Sequence, residues 1–181
     1  MKLAELCREL EATSKRTEKT RLISNFLQSI QHSEVSLATL FLTGKPFPDS
    51  DPRVLEVSYA TISEASHSLG QSRLTQSPLT ILDVFSVFSR ISEARGARSR
   101  IRKLNLIQML LTQATPLESE YLVRMMFGEM RIGVVEGIVL DGISLASGAS
   151  KELVRRANML HGDIGDIASL AVAKGPTELE R

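Results

Sequence analysis

Residues 95–103 read Arg-Gly-Ala-Arg-Ser-Arg-Ile-Arg-Lys, four arginines and one lysine in nine positions with no acid among them. The stretch lies between two helical patterns, residues 78–94 and 101–112, and this helix–break–helix reading sets the fold class. Gly96 interrupts the first pattern, and Ser99 is placed to cap the second. A helix start exposes unpaired backbone N–H groups and the positive end of the helix dipole, which attract anions. Guanidinium groups around such a start strengthen the attraction and favour a phosphodiester over a small carboxylate. Taken alone, the nine residues read as a solvated basic turn, and it is the rest of the chain that points beyond it.

Working outward, residues 78–94 follow Ser77-Pro78, a cap residue with proline at the first helical position. Their apolar residues Leu79, Leu82, Val84, Phe85, Phe88 and Ile91 cover much of the circumference, as in a central core helix. Residues 101–112 present Ile101, Leu104, Ile107 and Leu111 as a buried stripe. Thr115-Pro116-Leu117-Glu118 is a capping box, opening a helix that runs to Phe127 and stops at Gly128. A turn over 129–133 leads to a helix over 134–147, stopped by Gly148. Ser150 caps residues 151–160, and a last helix follows Gly162-Asp163 until Lys174-Gly175-Pro176.

Upstream, residues 2–11 are amphipathic, with Leu3, Leu6 and Leu10 on one face. A polar break over 13–21 carries four basic residues against one acid and leads into a helix that turns Leu22, Ile23, Phe26, Leu27 and Ile30 inward. Residues 36–43 are a short helix ended by Gly44. Three prolines and two aspartates make 45–52 a loop. A helix over 54–69 ends at Gly70, and 71–77 is a polar loop. About ten helices and no strand make an all-α domain over residues 1–173, with 174–181 as the start of a linker. Residues 38–44 followed by 54–65, and 122–128 followed by 134–146, share one plan: apolar helix, glycine stop, connection, apolar helix. This plan marks two pseudo-symmetric halves.

Composition narrows the chemistry. Only 4% of the residues are aromatic and none is tryptophan, lean for an all-β domain or a single-strand stacking platform. The net charge is +1, so a basic surface has to come from segregation of charge. Cys7 is the sole cysteine, which excludes an internal disulfide and disfavours a thiolate zinc site. His32, His67 and His161 stand at no metal-ligand spacing, and no phosphate loop or nucleophile elbow is present. No active site is legible. Charge interrupts Met-Lys-Leu-Ala-Glu-Leu too early for a signal peptide, and no apolar run approaches the ~18 residues of a membrane span. A cytoplasmic location is expected.

Four segments resemble the N-terminal DNA-binding domain of ATP-dependent DNA ligases. Residues 96–103, Gly-Ala-Arg-Ser-Arg-Ile-Arg-Lys, resemble its glycine-serine loop, with Lys103 four positions after Ser99. Residues 128–134, Gly-Glu-Met-Arg-Ile-Gly-Val, resemble its most specific block, with Met130 for leucine. Residues 163–168, Asp-Ile-Gly-Asp-Ile-Ala, resemble a segment near the domain's end. Residues 13–19, Thr-Ser-Lys-Arg-Thr-Glu-Lys, resemble the start of its early helix. The order holds over nearly the whole chain. Arg98 departs from the family's second glycine, and Leu55-Glu56-Val57-Ser58 stands where the family has Leu-Gly-Val-Gly.

The resemblance implies an all-α domain that holds the minor-groove side of a nicked double-stranded DNA through its phosphates, without sequence preference. It implies that Arg98, Ser99, Arg100 and Lys103 bind phosphates on one side of the nick. Ser14, Lys15, Arg16 and Lys19 would hold another backbone segment, and Gly133 and Val134 would present backbone N–H groups at a helix start. Arg131 is either a phosphate contact or a buried structural residue. The ligase signature Lys-x-Asp-Gly is absent, because Asp141-Gly142 has Val139 where the lysine belongs. The chain therefore reads as a non-catalytic part of a longer ligase. ATP and Mg2+ would serve that parent's adenylation and oligonucleotide-binding domains, and a sliding clamp is a further possible partner. A helical protein-interaction scaffold and a DNA-binding regulator are the alternatives.

Overall fold

Local capping chemistry decides where several of the helices begin. The structure, a computed structural model, describes residues 2–67 and 78–179. Ten α-helices occupy them: α1 (Lys2–Ala12), α2 (Arg16–Ser29), α3 (His32–Leu42), α4 (Tyr59–His67), α5 (Ile81–Glu93), α6 (Ser99–Gln113), α7 (Pro116–Met126), α8 (Glu136–Ser147), α9 (Lys151–His161) and α10 (Ile164–Lys174). No strand occurs among the described residues, and the domain is all-α. The Thr115–Glu118 capping box opens α7 as its sequence predicts. A second box, Thr80 with Asp83, opens α5. It satisfies the Thr80 and Asp83 N–H groups, and α5 starts at Ile81 rather than at Pro78. Ser77, Leu69, Gly70 and the 71–77 loop lie outside the described residues.

Other boundaries move for identifiable reasons. α3 begins at His32 instead of residue 36, with Glu34 in its first turn where a carboxylate favours the helix dipole. α4 and α8 begin later than expected, at Tyr59 rather than 54 and at Glu136 rather than 134. In both cases a lysine removes the carbonyls that an earlier helical turn would use, as described below. Ser99 is the first residue of α6 rather than its cap. Arg98 takes the cap position in the left-handed region (φ 62°), and Ser99 N–H closes the turn on Gly96 O at 3.1 Å. Arg98 thus adopts the conformation a glycine would give.

The centre of the molecule is α8, not the 78–94 helix that its apolar pattern suggests. Residues Ile138 to Ser144 of α8 are all buried, and α2, α9 and α10 pack around it. α5 contributes one face, Ile81, Val84, Val87, Phe88 and Ile91, and leaves Leu82 45% exposed. Phe88 meets Phe41 of α3 with ring centroids 5.9 Å apart. Past α10, a 3₁₀ turn (Pro176–Glu178) folds Leu179 back into the core.

Helix order repeats: α1–α4 and α5–α8 follow the same plan. Equivalent residues of α2 and α6 lie 84 positions apart, as in Lys19/Lys103 and Ile23/Ile107, all four buried. Those of α4 and α8 lie 77 apart, because the connection before α4 takes 15 residues (44–58) against eight before α8 (128–135). The two halves interlock. α2 of the first half packs on α8 of the second, and α6 of the second packs on α4 of the first.

Candidate nucleic-acid interface

The 128–135 connection has alternating burial that puts Met130 and Ile132 into the core. Arg131 (φ 46°) and Gly133 (φ 63°) are both left-handed, so the backbone reverses direction before α8. Lys19 of α2 holds this turn from behind. Its Nζ donates to Ile132 O at 2.9 Å and to Gly133 O at 2.7 Å, and the residue is 5% exposed. A Cβ on residue 133 would lie 2.5 Å from that nitrogen, so the left-handed φ favours glycine and a side chain there would displace the tip of Lys19.

The connection before α4 is built alike. Lys103 of α6, also buried, donates through Nζ to Leu55 O at 2.9 Å and Glu56 O at 3.0 Å. Glu56 is left-handed (φ 47°), as Gly133 is. Residues 54–59 and 131–136 share one burial pattern, position for position: exposed, buried, exposed, intermediate, exposed, exposed. Ser58 then caps α4, its Oγ accepting from Thr61 N–H at 3.3 Å.

Peptide planarity gives the stapled turns a direction. No cis peptide bond occurs among the described residues, so a carbonyl drawn inward sends the N–H of the next residue outward. The inward carbonyls of Ile132 and Gly133 therefore aim the Gly133 and Val134 N–H groups away from Lys19. Those of Leu55 and Glu56 do the same for the Glu56 and Val57 N–H groups. None of these four amides donates a hydrogen bond among the described residues. Each pair therefore leaves two outward, unbonded N–H groups one turn ahead of a helix start.

The two turns are neighbours. Gly44, at the end of α3, is within contact distance of Met130, a Cβ there lying 3.5 Å from its Cγ. Tyr59, 73% exposed at the start of α4, stacks on Phe127 at 5.1 Å. A cleft of about 450 Å³ runs between residues 44–57 and 125–128. α2 and α8 also begin on the same side: Lys19 reaches 132 and 133, Ile23 faces Gly142, and Gln28 Nε2 bonds Ala146 O at 2.8 Å.

Of the basic residues expected to touch phosphate, Lys19 and Lys103 are the two buried staples. Arg16 Nη2 bonds Asp141 Oδ2 at 2.9 Å, and Arg100 Nη2 bonds Glu64 Oε2 at 2.5 Å. These pairs correspond as the lysines do, Arg16 with Arg100 and Asp141 with Glu64. Asp141 is the more enclosed, 4% exposed at its side chain, and also meets Arg155 at 2.6 Å and Lys151 at 3.7 Å. Burial opposes its charge most strongly, but the Arg16 hydrogen bond and the three cations outweigh burial and hold the carboxyl below its usual range. Lys15 and Arg98 are exposed and make no ion pair among the described residues. Ser14 is exposed beside Lys15, and Ser99 is partly buried. Arg131 is exposed rather than buried, its Nη2 2.8 Å from Glu129. Arg102 ties the loop through Arg95 O and Ala97 O.

The structure thus ties Lys19 to Ile132 and Gly133 and Arg16 to Gly137 and Asp141, and it ties Lys103 to Leu55 and Glu56 and Arg100 to Glu64. Sequence reading left these associations out and missed Lys151 and Arg155, and Glu56 and the absent glycines of residues 55–58 count, in the sequence, against a phosphate contact at that helix entry. One signal was available: Arg-x-x-Lys occurs at 16–19 and again at 100–103. Elsewhere, burial pushes the Cys7 thiol up to about 12, with the Glu11 charge acting in the same direction, so it stays protonated. Among the described residues no group of three or more His, Cys, Asp or Glu gathers to hold a metal. No described helix is long and apolar enough to cross a membrane.

Comparison with known proteins identifies the family. The model of the DNA ligase N terminus matches residues 1–73 and 61–144. The chain belongs to this family. It is 32% identical over its whole length to a DNA ligase of Methanothermobacter thermautotrophicus, of which it spans 38%. It is 34% identical over 89% of its length to a DNA ligase of Korarchaeum cryptofilum, spanning 34% of that protein. A probable DNA ligase of Koribacter versatilis is 36% identical over 93% of the chain, which spans 33% of it. The chain therefore corresponds to about a third of such a ligase. Both stapled turns of this ligase domain fall within the matched residues.

Proposed function

We propose that this ligase domain grips nicked duplex DNA through backbone phosphates on the minor-groove side. It would present the nick to adenylation and oligonucleotide-binding domains that use ATP and Mg2+. The observation that carries this reading is the pair of neighbouring turns, each with two outward N–H groups and a lysine stapling its carbonyls from behind. Such amides bind phosphate oxygens without reading bases, the requirement for a nick that can fall in any sequence. Lys15, Arg98 and Arg131 add cations around them, while Lys19 and Lys103 act as positioning residues. Arg16 and Arg100 anchor the same helix starts, with part of each guanidinium still open to solvent. A sequence-reading regulator would instead need side chains projected into the major groove, and the supporting features here are backbone amides.

Fluorescence anisotropy across a salt series tests the proposal, using nicked, intact and scrambled duplexes. Binding to all three with a steep salt slope is expected. Replacing Arg98 and Arg131 with alanine should weaken binding and flatten the slope by about 0.9 per lost phosphate contact. Lys19→Met should weaken binding with the slope unchanged, because its charge faces carbonyls rather than DNA. Removing that hydrogen-bonded ammonium should also lower stability by about 1–3 kcal/mol. No binding to any duplex at low salt would overturn the assignment.

A further inference from the structure

The two turns match in fold but differ in chemistry at one position. Gly133 and Glu56 are equivalent residues. Both are left-handed, both offer an outward N–H, and both have a carbonyl held by a buried lysine. Gly133 carries no side chain over its own amide. At Glu56 an exposed carboxylate is attached to the residue that supplies one of those amides, and it makes no ion pair among the described residues. The nearby Arg100 does not offset it, because that guanidinium is bonded to Glu64. At the mate turn the residue supplying the amides carries no carboxylate, and the Asp141 carboxylate of α8, the counterpart of Glu64, is surrounded by Arg16, Lys151 and Arg155. Nothing in the fold calls for glutamate at residue 56. A left-handed backbone favours glycine, and Glu56 sits there against its intrinsic preference.

We infer that Glu56 is an electrostatic attenuator: it weakens phosphate binding at the α4 turn, so the two halves grip the duplex unequally, with the α8 turn dominant. This inference rests on the DNA-gripping function proposed above. A negative side chain next to a pair of anion-binding amides repels an incoming phosphate and itself fills part of their field. Unequal seats let one side of the duplex stay held while the other is released.

Anisotropy with the intact chain and a nicked duplex tests this with three variants. Glu56→Gln removes the charge and keeps the side chain's size. Glu56→Gly also restores the conformation of the mate turn. Glu5→Gln removes the same charge from exposed α1, outside both helix pairs. At low salt, Glu56→Gln should bind roughly fivefold tighter than the parent. Its salt slope should steepen by up to about 0.9 as one phosphate contact is gained. Glu56→Gly should bind at least as tightly as Glu56→Gln, and Glu5→Gln within twofold of the parent. Should Glu56→Gly fail to fold, Glu56→Gln carries the test alone. If the parent binds and Glu56→Gln stays within twofold of it, the attenuator is excluded. An equal gain from Glu5→Gln would also exclude it, pointing to net charge alone. If no form binds the duplex, the proposed function fails and this inference with it.

Discussion

At the scale of single residues, the two turns depend on charged side chains that do not face outward. Lys19 and Lys103 each place an ammonium beneath a turn and fix which way four amides point. A surface lysine would contribute little to the fold, whereas these two satisfy carbonyls that have no helical partner. Asp141 plays the complementary part, gathering Arg16, Lys151 and Arg155 from two other helices. Its folded pKa lies below the unfolded value, so the stability it contributes is present above the unfolded pKa of about 3.9 and is lost as pH falls through the folded one. Asp141→Asn should cost about 1–3 kcal/mol near neutral pH, short of a fully buried pair because the cations are half exposed. The difference in urea midpoint between parent and variant should hold from pH 5 to 7 and shrink below about pH 4. A difference constant down to pH 2 would contradict the role given to this carboxylate.

Between elements, what counts is how closely helix axes approach. Gly142 lets α8 lie against α2: a Cβ there would be 2.6 Å from Cγ2 and 2.9 Å from Cβ of Ile23. The equivalent residue of α4 is Ala65, buried but already carrying that methyl. Gly142→Ala should destabilise the domain by about 1–3 kcal/mol through overpacking, read as a lower thermal midpoint, even though alanine is the better helix former. This is also the scale at which legibility in the sequence ran out. Caps and glycine stops are local, so Thr115–Glu118, Ser150 and Asp163 were readable, and so was the all-α class. The starts of α4 and α8 were not, because they depend on Lys19 and Lys103, 113 and 48 positions distant from the carbonyls they hold. Charge on the sequence read as charge on the surface, so both lysines were expected at the phosphates. The inward turn of Lys103 also displaced the expected stripe of α6. Ile101 is 52% exposed, while Lys103, Ile107, Leu110 and Leu111 face the core.

For the whole molecule, the repeat α1–α4 and α5–α8 is a symmetry of sequence order, but the packing ties the halves crosswise. The α2·α8 pair is bound by Lys19, Arg16 and the Gly142 contact, and the α4·α6 pair by Lys103 and Arg100. Neither pair consists of neighbours in the chain. That crossing decides what comes apart together. Amide hydrogen exchange under native conditions reports local openings as cooperative units, and such units usually follow stretches of sequence. Here the units should be discontinuous, with α2 and α8 exchanging at one common rate and α4 and α6 at another. Gly142→Ala should speed exchange in α2 and α8 while leaving α4 and α6 nearly unchanged. Exchange rates that followed α1–α4 against α5–α8 would contradict the crosswise tie. A nick held across both turns would then rest on two independently breathing jaws, each made of one helix from each half of the repeat.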